Sequence, residues 1–321
     1  MTTPTRISVT SPLGPAIEWT RRMLFRPFDL GKWFVLGFSA WLAGLGERGG
    51  FYRGNYQFHT ARGNGIHFRH EFERIRDYVM ANLSWILPLA IGLMIVLMAL
   101  GVLFLWFNSR GKFLFLHCVA LDKADVAEPW HKFARQADSL FWFRLWLGLA
   151  GMALTLPLFV IAGVLIFRMF LHNEWGAGGI ARAAGMVVVM FSIGLVLAII
   201  KKFTMDFVVP IMFLRGKRCW DAWREFSDIL RGHAGKFLLY LLFQVVIAIA
   251  VGAIVVATVL ITCCMAGCVL ALPYLGTVLL LPVLIFKRSY SLLYLAQYGR
   301  EYDVFPLSYF LPSTGAPSPR S

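Results

Sequence analysis

Residues 201–237 read KKFTMDFVVPIMFLRGKRCWDAWREFSDILRGHAGKF, a charged block between two long apolar runs. Within it, apolar side chains recur at helical spacing, and charged side chains fill the opposite face. This pattern is typical of a helix that lies on the membrane plane. We therefore expect Trp223 and Phe226 to anchor the helix among the lipid headgroups.

A second stripe of the same kind occurs upstream, in residues 126–140. Its WHKF at 130–133 matches the WREF at 223–226 in residue type and spacing, and an apolar run precedes and follows each copy. The match predicts an internal repeat of membrane helix, surface helix and membrane helix. By the same reasoning, Trp130 and Phe133 are expected to be the membrane anchors of the first copy.

The composition indicates an integral membrane protein. Hydrophobic residues make up 59% of the 321 residues and charged residues only 15%, against roughly 45–50% and 25% in soluble domains. Several apolar runs approach or exceed the ~20 residues that a helix needs to cross a bilayer. The predicted class is therefore an all-α membrane protein, which we expect to lie in the inner membrane of a bacterium.

Six apolar runs are candidates for crossing the membrane as helices. The first carries Gly31, Gly37 and Gly44, so a re-entrant segment is the alternative to a full crossing there. We expect one bundle of about six spans with cytoplasmic amphipathic helices over residues 1–302, and a disordered Pro-rich tail over residues 303–321. The spans are about 30–45, 83–107, 141–167, 183–203, 237–262 and 268–287.

The distribution of positive charge predicts the orientation and the partners. If six helices cross, every lysine falls on one face, and the positive-inside rule makes that face the cytoplasm, together with both termini. The net charge of +14 is concentrated in the segments between apolar runs, which favours anionic lipid headgroups over nucleic acid as partners. The sequence leaves open whether the protein forms a homo-oligomer or binds a partner protein in the membrane.

Asp206 is the most suggestive ionisable residue, because it follows an apolar span and a carboxylate at membrane depth is costly. Alignment of the two repeats places Arg110 and Lys112 near its level. This predicts an intramembrane charge cluster at the cytoplasmic helix ends. The alternative is that Asp206 pairs locally with Lys202, four residues earlier on the same helix.

Three histidines in the first outer loop carry nitrogen atoms that suit zinc, but a polar loop is the simpler interpretation. These histidines are His59, His67 and His70. Three clustered cysteines would lie at the outer surface, where small thiols that pack between helices are favoured over a disulfide. These cysteines are Cys263, Cys264 and Cys268.

The sequence contains no phosphate-binding loop, no H-E-x-x-H and no G-x-S-x-G. We therefore expect no catalytic residue, no cofactor, no metal site and no enzymatic activity. The leading hypothesis is a lipid-interacting or scaffold bundle. The alternative is a small transporter or channel for a hydrophobic or lipid-like substrate, with its pathway between the two repeats.

The succession from Asp206, DFVVPIMFLRGKRCWDAWREFSDILRGHAGKFLLYLL, resembles uncharacterised prokaryotic polytopic membrane proteins. Those proteins are similar to the membrane domain of bacterial glycerophosphodiester phosphodiesterases. The resemblance covers roughly residues 15–300 and rests on the pattern together with Pro210, Trp223 and Phe226. It implies a helical bundle of about six spans. It does not imply the phosphodiesterase activity, because the chain has no room for the soluble barrel domain that carries it.

Overall fold

A computed structural model describes residues 7–26, 28–45, 77–78, 80–123, 125–172, 177–262, 267, 269–270 and 272–305. All regular structure in these ranges is helical, which confirms the all-α class. A π-helical turn spans Thr204–Val208, and a 3₁₀ turn spans Arg300–Tyr302. The helices are α1 Leu13–Phe25, α2 Leu30–Gly44, α3 Leu83–Leu121, α4 Ala127–Lys132, α5 Ala134–His172, α6 Ala177–Phe203, α7 Val209–Arg215, α8 Cys219–Gly232, α9 Ala234–Ile261, α10 Pro273–Leu279 and α11 Leu281–Ala296.

Four helical stretches are long and apolar enough to cross a membrane. In the most apolar part of each, at most 11% of the residues are buried by the rest of the chain. Such surfaces fit a hydrocarbon environment and support the prediction of a membrane protein. The stretches are Leu83–Leu121, Ala134–Met169, Ala181–Arg215 and Ala234–Ile261.

Each of the four long stretches has an exposed apolar part and a buried part. The buried residues of α3 all lie between Asn108 and Ala120, and those of α9 lie between Phe237 and Ile247. The buried part is C-terminal in α3, N-terminal in α5, C-terminal around the α6–α7 junction and N-terminal in α9. Consecutive helices therefore extend from one shared core in alternating directions.

Helix α2 packs against the buried half of α3 and runs antiparallel to it. At one end, Lys32 Nζ lies 2.8 Å from Asp122 Oδ1, and at the other end Asn108 Nδ2 donates to Ala43 O at 2.8 Å. The helix has 15 residues, so it is about 22 Å long. The predicted span at 268–287 overlaps α10 and α11, of 7 and 16 residues. A count of six crossings stays a prediction, as does the internal repeat.

The shared core is rich in aromatic side chains. Phe207, on the π-turn, stacks on Phe226 with ring centroids 5.2 Å apart and meets Tyr240 at 5.0 Å. Phe237 packs on both phenylalanines, and Tyr294 of α11 completes the cluster. All five side chains are fully or almost fully buried. The apolar face of α8 is therefore covered by protein where Phe226 lies.

Candidate functional site

The π-turn between α6 and α7 places the central residue of the candidate site. A π-turn inserts one extra residue into the helical path, and such turns occur frequently at functional sites. Thr204, Phe207 and Val208 face the core and are buried. Asp206 points instead to a pocket beside the core, and its side chain is only 13% exposed.

The carboxylate of Asp206 is held by two donors. Lys202 Nζ lies 2.7 Å from Asp206 Oδ2, and the hydroxyl of Tyr240 donates to the same oxygen at 3.0 Å. Gln244 Nε2 in turn donates to the Tyr240 hydroxyl at 3.0 Å. The local pairing of Asp206 with Lys202, which the sequence offered as the alternative to a cluster with Arg110 and Lys112, is therefore present. The chain of hydrogen bonds through Tyr240 orients the carboxylate toward the pocket.

The pocket beside Asp206 has a volume of about 290 Å³. Its wall combines four cationic side chains and the Asp206 carboxylate with apolar side chains from α2, α3, the π-turn and α11. Four cations and one carboxylate give the wall a formal excess of three positive charges. The lining residues are Ala40, Ala43, Gly44, Lys112, Phe115, Lys202, Met205, Asp206, Leu284, Lys287 and Arg288.

Arg288 is fixed in orientation within this wall. Its Nη1 donates to the backbone oxygen of Met205 at 2.6 Å. Among the described residues, its Nε has no hydrogen-bond partner. Lys287, the preceding residue, also lines the pocket. Two neighbouring cations, one of them held by a backbone carbonyl, form a site suited to a phosphate or a carboxylate.

The structure brings together two of the three residues of the predicted charge cluster. Lys112 and Asp206 line the same pocket. Arg110 points elsewhere and pairs with Asp138, with Nη2 3.4 Å from Oδ1. The reason is helix geometry, because residues two apart on a helix lie about 200° apart around its axis. Lys287 and Arg288 were missed, since nothing in the local sequence relates α11 to the π-turn.

The predicted membrane anchors differ in their placement. Phe133 and Phe226 are buried, and Phe133 stacks on Phe213 with ring centroids 4.7 Å apart. They pack within the protein and do not present their rings to lipid, which corrects the interpretation of both residues as anchors. Trp130 and Trp223 remain partly exposed.

The most exposed tryptophans of this region were not singled out from the sequence. They lie on α5 and α8, with exposed fractions of 57% to 66%, and such residues are typical of membrane interfaces. They are Trp142, Trp146 and Trp220.

A polar joint lies at the level where the apolar half of α3 ends. Arg144 of α5 is buried, and its Nη1 donates to Asn108 Oδ1 at 2.6 Å and to Ser109 Oγ at 3.3 Å. Asn108 also donates to Leu45 O at the end of α2. The joint ties three helices together with polar groups that are satisfied inside the protein. The polar segment after Phe107 is thus a connection point between helices.

A second ionic network is centred on Glu225, which is midway along α8 and outside the stretches able to cross a membrane. Glu225 accepts from Tyr302 at 2.7 Å and from Lys217 at 2.9 Å, and lies 3.1 Å from Arg215. Burial raises the pKa of the Glu225 carboxyl, but these hydrogen bonds and the charges of Arg215 and Lys217 outweigh it, so the pKa is lowered. The network fastens the 3₁₀ turn to the junction of α7 and α8.

The metal and thiol predictions concern residues largely outside the described ranges. His59, His67, His70, Cys263, Cys264 and Cys268 all lie outside them. Cys118 and Cys219 are free and buried, and burial raises the pKa of the Cys219 thiol to about 12. Within the described part of the chain, no group of three His, Cys, Asp or Glu residues is arranged to hold a metal ion.

The fold and the pocket define a class: an α-helical protein with four stretches able to cross a membrane, and a cationic pocket near the end of their apolar parts. The chain belongs to a family of unknown function, DUF7544, whose sequence profile matches residues 7–281. Comparisons with curated proteins and with solved structures give no match. The resemblance to the membrane domain of glycerophosphodiester phosphodiesterases therefore stays a prediction.

Proposed function

We propose that the protein is a non-enzymatic, multi-pass protein of the bacterial plasma membrane that binds anionic phospholipid in the pocket beside Asp206. The observation that carries the proposal is the convergence of Lys112, Lys202, Lys287 and Arg288 on one pocket of about 290 Å³. This volume is close to the lower end of the ~300–1,000 Å³ that is typical of small-ligand sites.

The position of the pocket along the helices supports a headgroup ligand. The exposed apolar half of α3 ends near Phe107, and Lys112 follows five residues later, about 7.5 Å further along the axis. A cation at that distance from the hydrocarbon boundary is at headgroup level. The lysine distribution favours the cytoplasmic leaflet, which is the one that carries the negative surface potential.

The chemistry of the wall matches the two parts of a phospholipid. Lys287 and Arg288 are suited to the phosphate, and Arg288 is already oriented by Met205 O. Phe115 and Leu284 line the same pocket and suit the glycerol and the first carbons of an acyl chain. Asp206 limits the positive charge of the site and neutralises part of the Lys202 charge.

Native mass spectrometry of the protein released from mild detergent tests the proposal, with phosphatidylglycerol and phosphatidylcholine as probes. We expect retention of phosphatidylglycerol, and a loss of about tenfold or more in affinity for Lys112→Gln combined with Lys287→Gln, because each cation near the membrane surface contributes ~1 kcal/mol.

The matched control is Lys123→Gln combined with Lys132→Gln, which removes the same charge from two exposed positions. Equal losses in the pocket variant and the control would refute the pocket as the binding site. Equal retention of both lipids by the wild type would refute the preference for anionic lipid.

A further inference from the structure

We propose a second lipid site on the opposite side of α3: a groove between α3 and α5 that holds an acyl chain of an anionic phospholipid, with the lipid phosphate at Arg110. The proposal rests on observations separate from the Asp206 pocket. It concerns Arg110, which does not line that pocket.

The groove is apolar and follows α3 for the length of a chain. It has a volume of about 560 Å³. Its α3 residues recur at spacings of three and four, so they form one stripe that extends about 16 Å along the helix axis. The only described lining residue from α5 is Phe141. The stripe consists of Ile95, Met98, Ala99, Val102, Leu103 and Trp106.

Arg110 continues the same stripe, one turn beyond Trp106. Its guanidinium carbon lies 4.6 Å from the Trp106 ring centroid and 5.3 Å from that of Trp130. The two rings hold the planar cation at the end of the groove by cation–π contacts. A lipid whose chain follows the groove would therefore carry its phosphate to Arg110.

The guanidinium of Arg110 retains capacity for a ligand. Its ion pair with Asp138 is long, at 3.4 Å, and the Asp138 side chain is 47% exposed, so water weakens this contact.

A bilayer lipid is the occupant that fits this arrangement. The groove lies on the exposed apolar half of α3, where the surrounding medium is acyl chains. Its charged end carries a cation, which complements an anionic headgroup. Arg110 and Lys112 are two residues apart and so lie about 200° apart on α3, at almost the same depth. One helix would thus present two headgroup sites on opposite faces.

Photolabelling in lipid nanodiscs tests the second site. The probe is phosphatidylglycerol with a diazirine in its acyl chain, added to phosphatidylcholine nanodiscs that contain the full chain, and peptide mass spectrometry locates the label. We expect label on residues 95–106 and at Phe141. Arg110→Gln should lower it about fivefold, the effect of ~1 kcal/mol for one arginine near the surface, and Arg110→Lys should keep most of it.

Two further variants test the groove itself. Ala99→Phe places a ring in the groove and should remove the label while Arg110 is intact, whereas Ala90→Phe, outside the groove on the same exposed helix, should have no effect. Because both positions are exposed, neither change is expected to disturb the core. Arg135→Gln is the charge control.

Three results would overturn the second site: equal labelling by a phosphatidylcholine probe, unchanged labelling of Arg110→Gln, or unchanged labelling of Ala99→Phe. The pair Lys112→Gln and Lys287→Gln should leave groove labelling intact even if it abolishes binding in the Asp206 pocket. Failure of one site is therefore distinguishable from failure of the other.

Discussion

Replacement of Asp206 by alanine should destabilise the fold through Tyr240. The hydroxyl of Tyr240 is fully buried and donates to Asp206 Oδ2 at 3.0 Å. Without that acceptor, the hydroxyl loses the only hydrogen bond that it donates to a described residue. A buried polar group without a hydrogen-bond partner costs about 1–3 kcal/mol. The Lys202 pair adds ~1 kcal/mol or less, because the Lys202 side chain is 39% exposed. We expect a total loss of about 1–4 kcal/mol.

Double-mutant cycles identify the residue with which Asp206 interacts. Unfolding by SDS in mixed micelles, followed by circular dichroism, gives the free energy of unfolding of each variant. Asp206→Ala and Tyr240→Phe should couple by about 1–2 kcal/mol, whereas Asp206→Ala and Arg110→Gln should be additive, because their described partners are separate. Additivity of Asp206→Ala with Tyr240→Phe, or strong coupling to Arg110→Gln, would show that Tyr240 is not the partner through which Asp206 stabilises the fold.

Three further predictions follow from other parts of the molecule. Gly111→Ala would place a Cβ 2.6 Å from backbone atoms of α2, so SDS unfolding should show a loss of about 1–3 kcal/mol, while Gly101→Ala, in open space, should show none. The pKa of Glu225 is lowered in the fold, so its contribution to stability is present above the unfolded pKa of ~4.3 and is lost as pH falls through the folded pKa. The loss in free energy of unfolding caused by Glu225→Gln should therefore be full at pH 7 and disappear in acid. The control Glu301→Gln, at an exposed position, should cause a smaller loss. The orientation with both termini in the cytoplasm can be tested on a background without the five native cysteines. A cysteine that replaces Thr60 should react with an impermeant maleimide in intact cells, and one that replaces Glu128 should react only after lysis. Reaction at position 128 before lysis would overturn this orientation.

The long helices could be predicted because their signal is local. The runs at 83–107, 141–167 and 183–203 fall within three of the stretches able to cross a membrane, and the run at 237–262 coincides with the fourth except for its last residue. Length and apolar composition are sufficient for that prediction. The run at 30–45 has a similar composition, but it forms a helix of 15 residues against the buried half of α3. Its placement depends on contacts such as Gly111 against Leu42, which no local pattern reports.

The candidate site was predictable only where its contacts are local. Lys202 and Asp206 are four residues apart on one helical path, so their pairing could be anticipated. Tyr240 is 34 residues from Asp206 in sequence, and Arg288 reaches Met205 across 83 residues. The stripe of α8 illustrates the same limit, because an apolar face has the same periodicity whether lipid or protein covers it. Phe226 is covered by protein.

The most direct test of lipid binding in the Asp206 pocket is a crystal structure grown from a lipidic mesophase that contains phosphatidylglycerol. We expect a phosphate in the pocket, within a hydrogen-bonding distance of about 2.7–3.2 Å from Lys287 Nζ or the Arg288 guanidinium. We also expect the Lys202–Asp206 pair to be retained. A pocket without phosphate, in a structure where lipid is ordered elsewhere on the protein, would show that this pocket is not a lipid site.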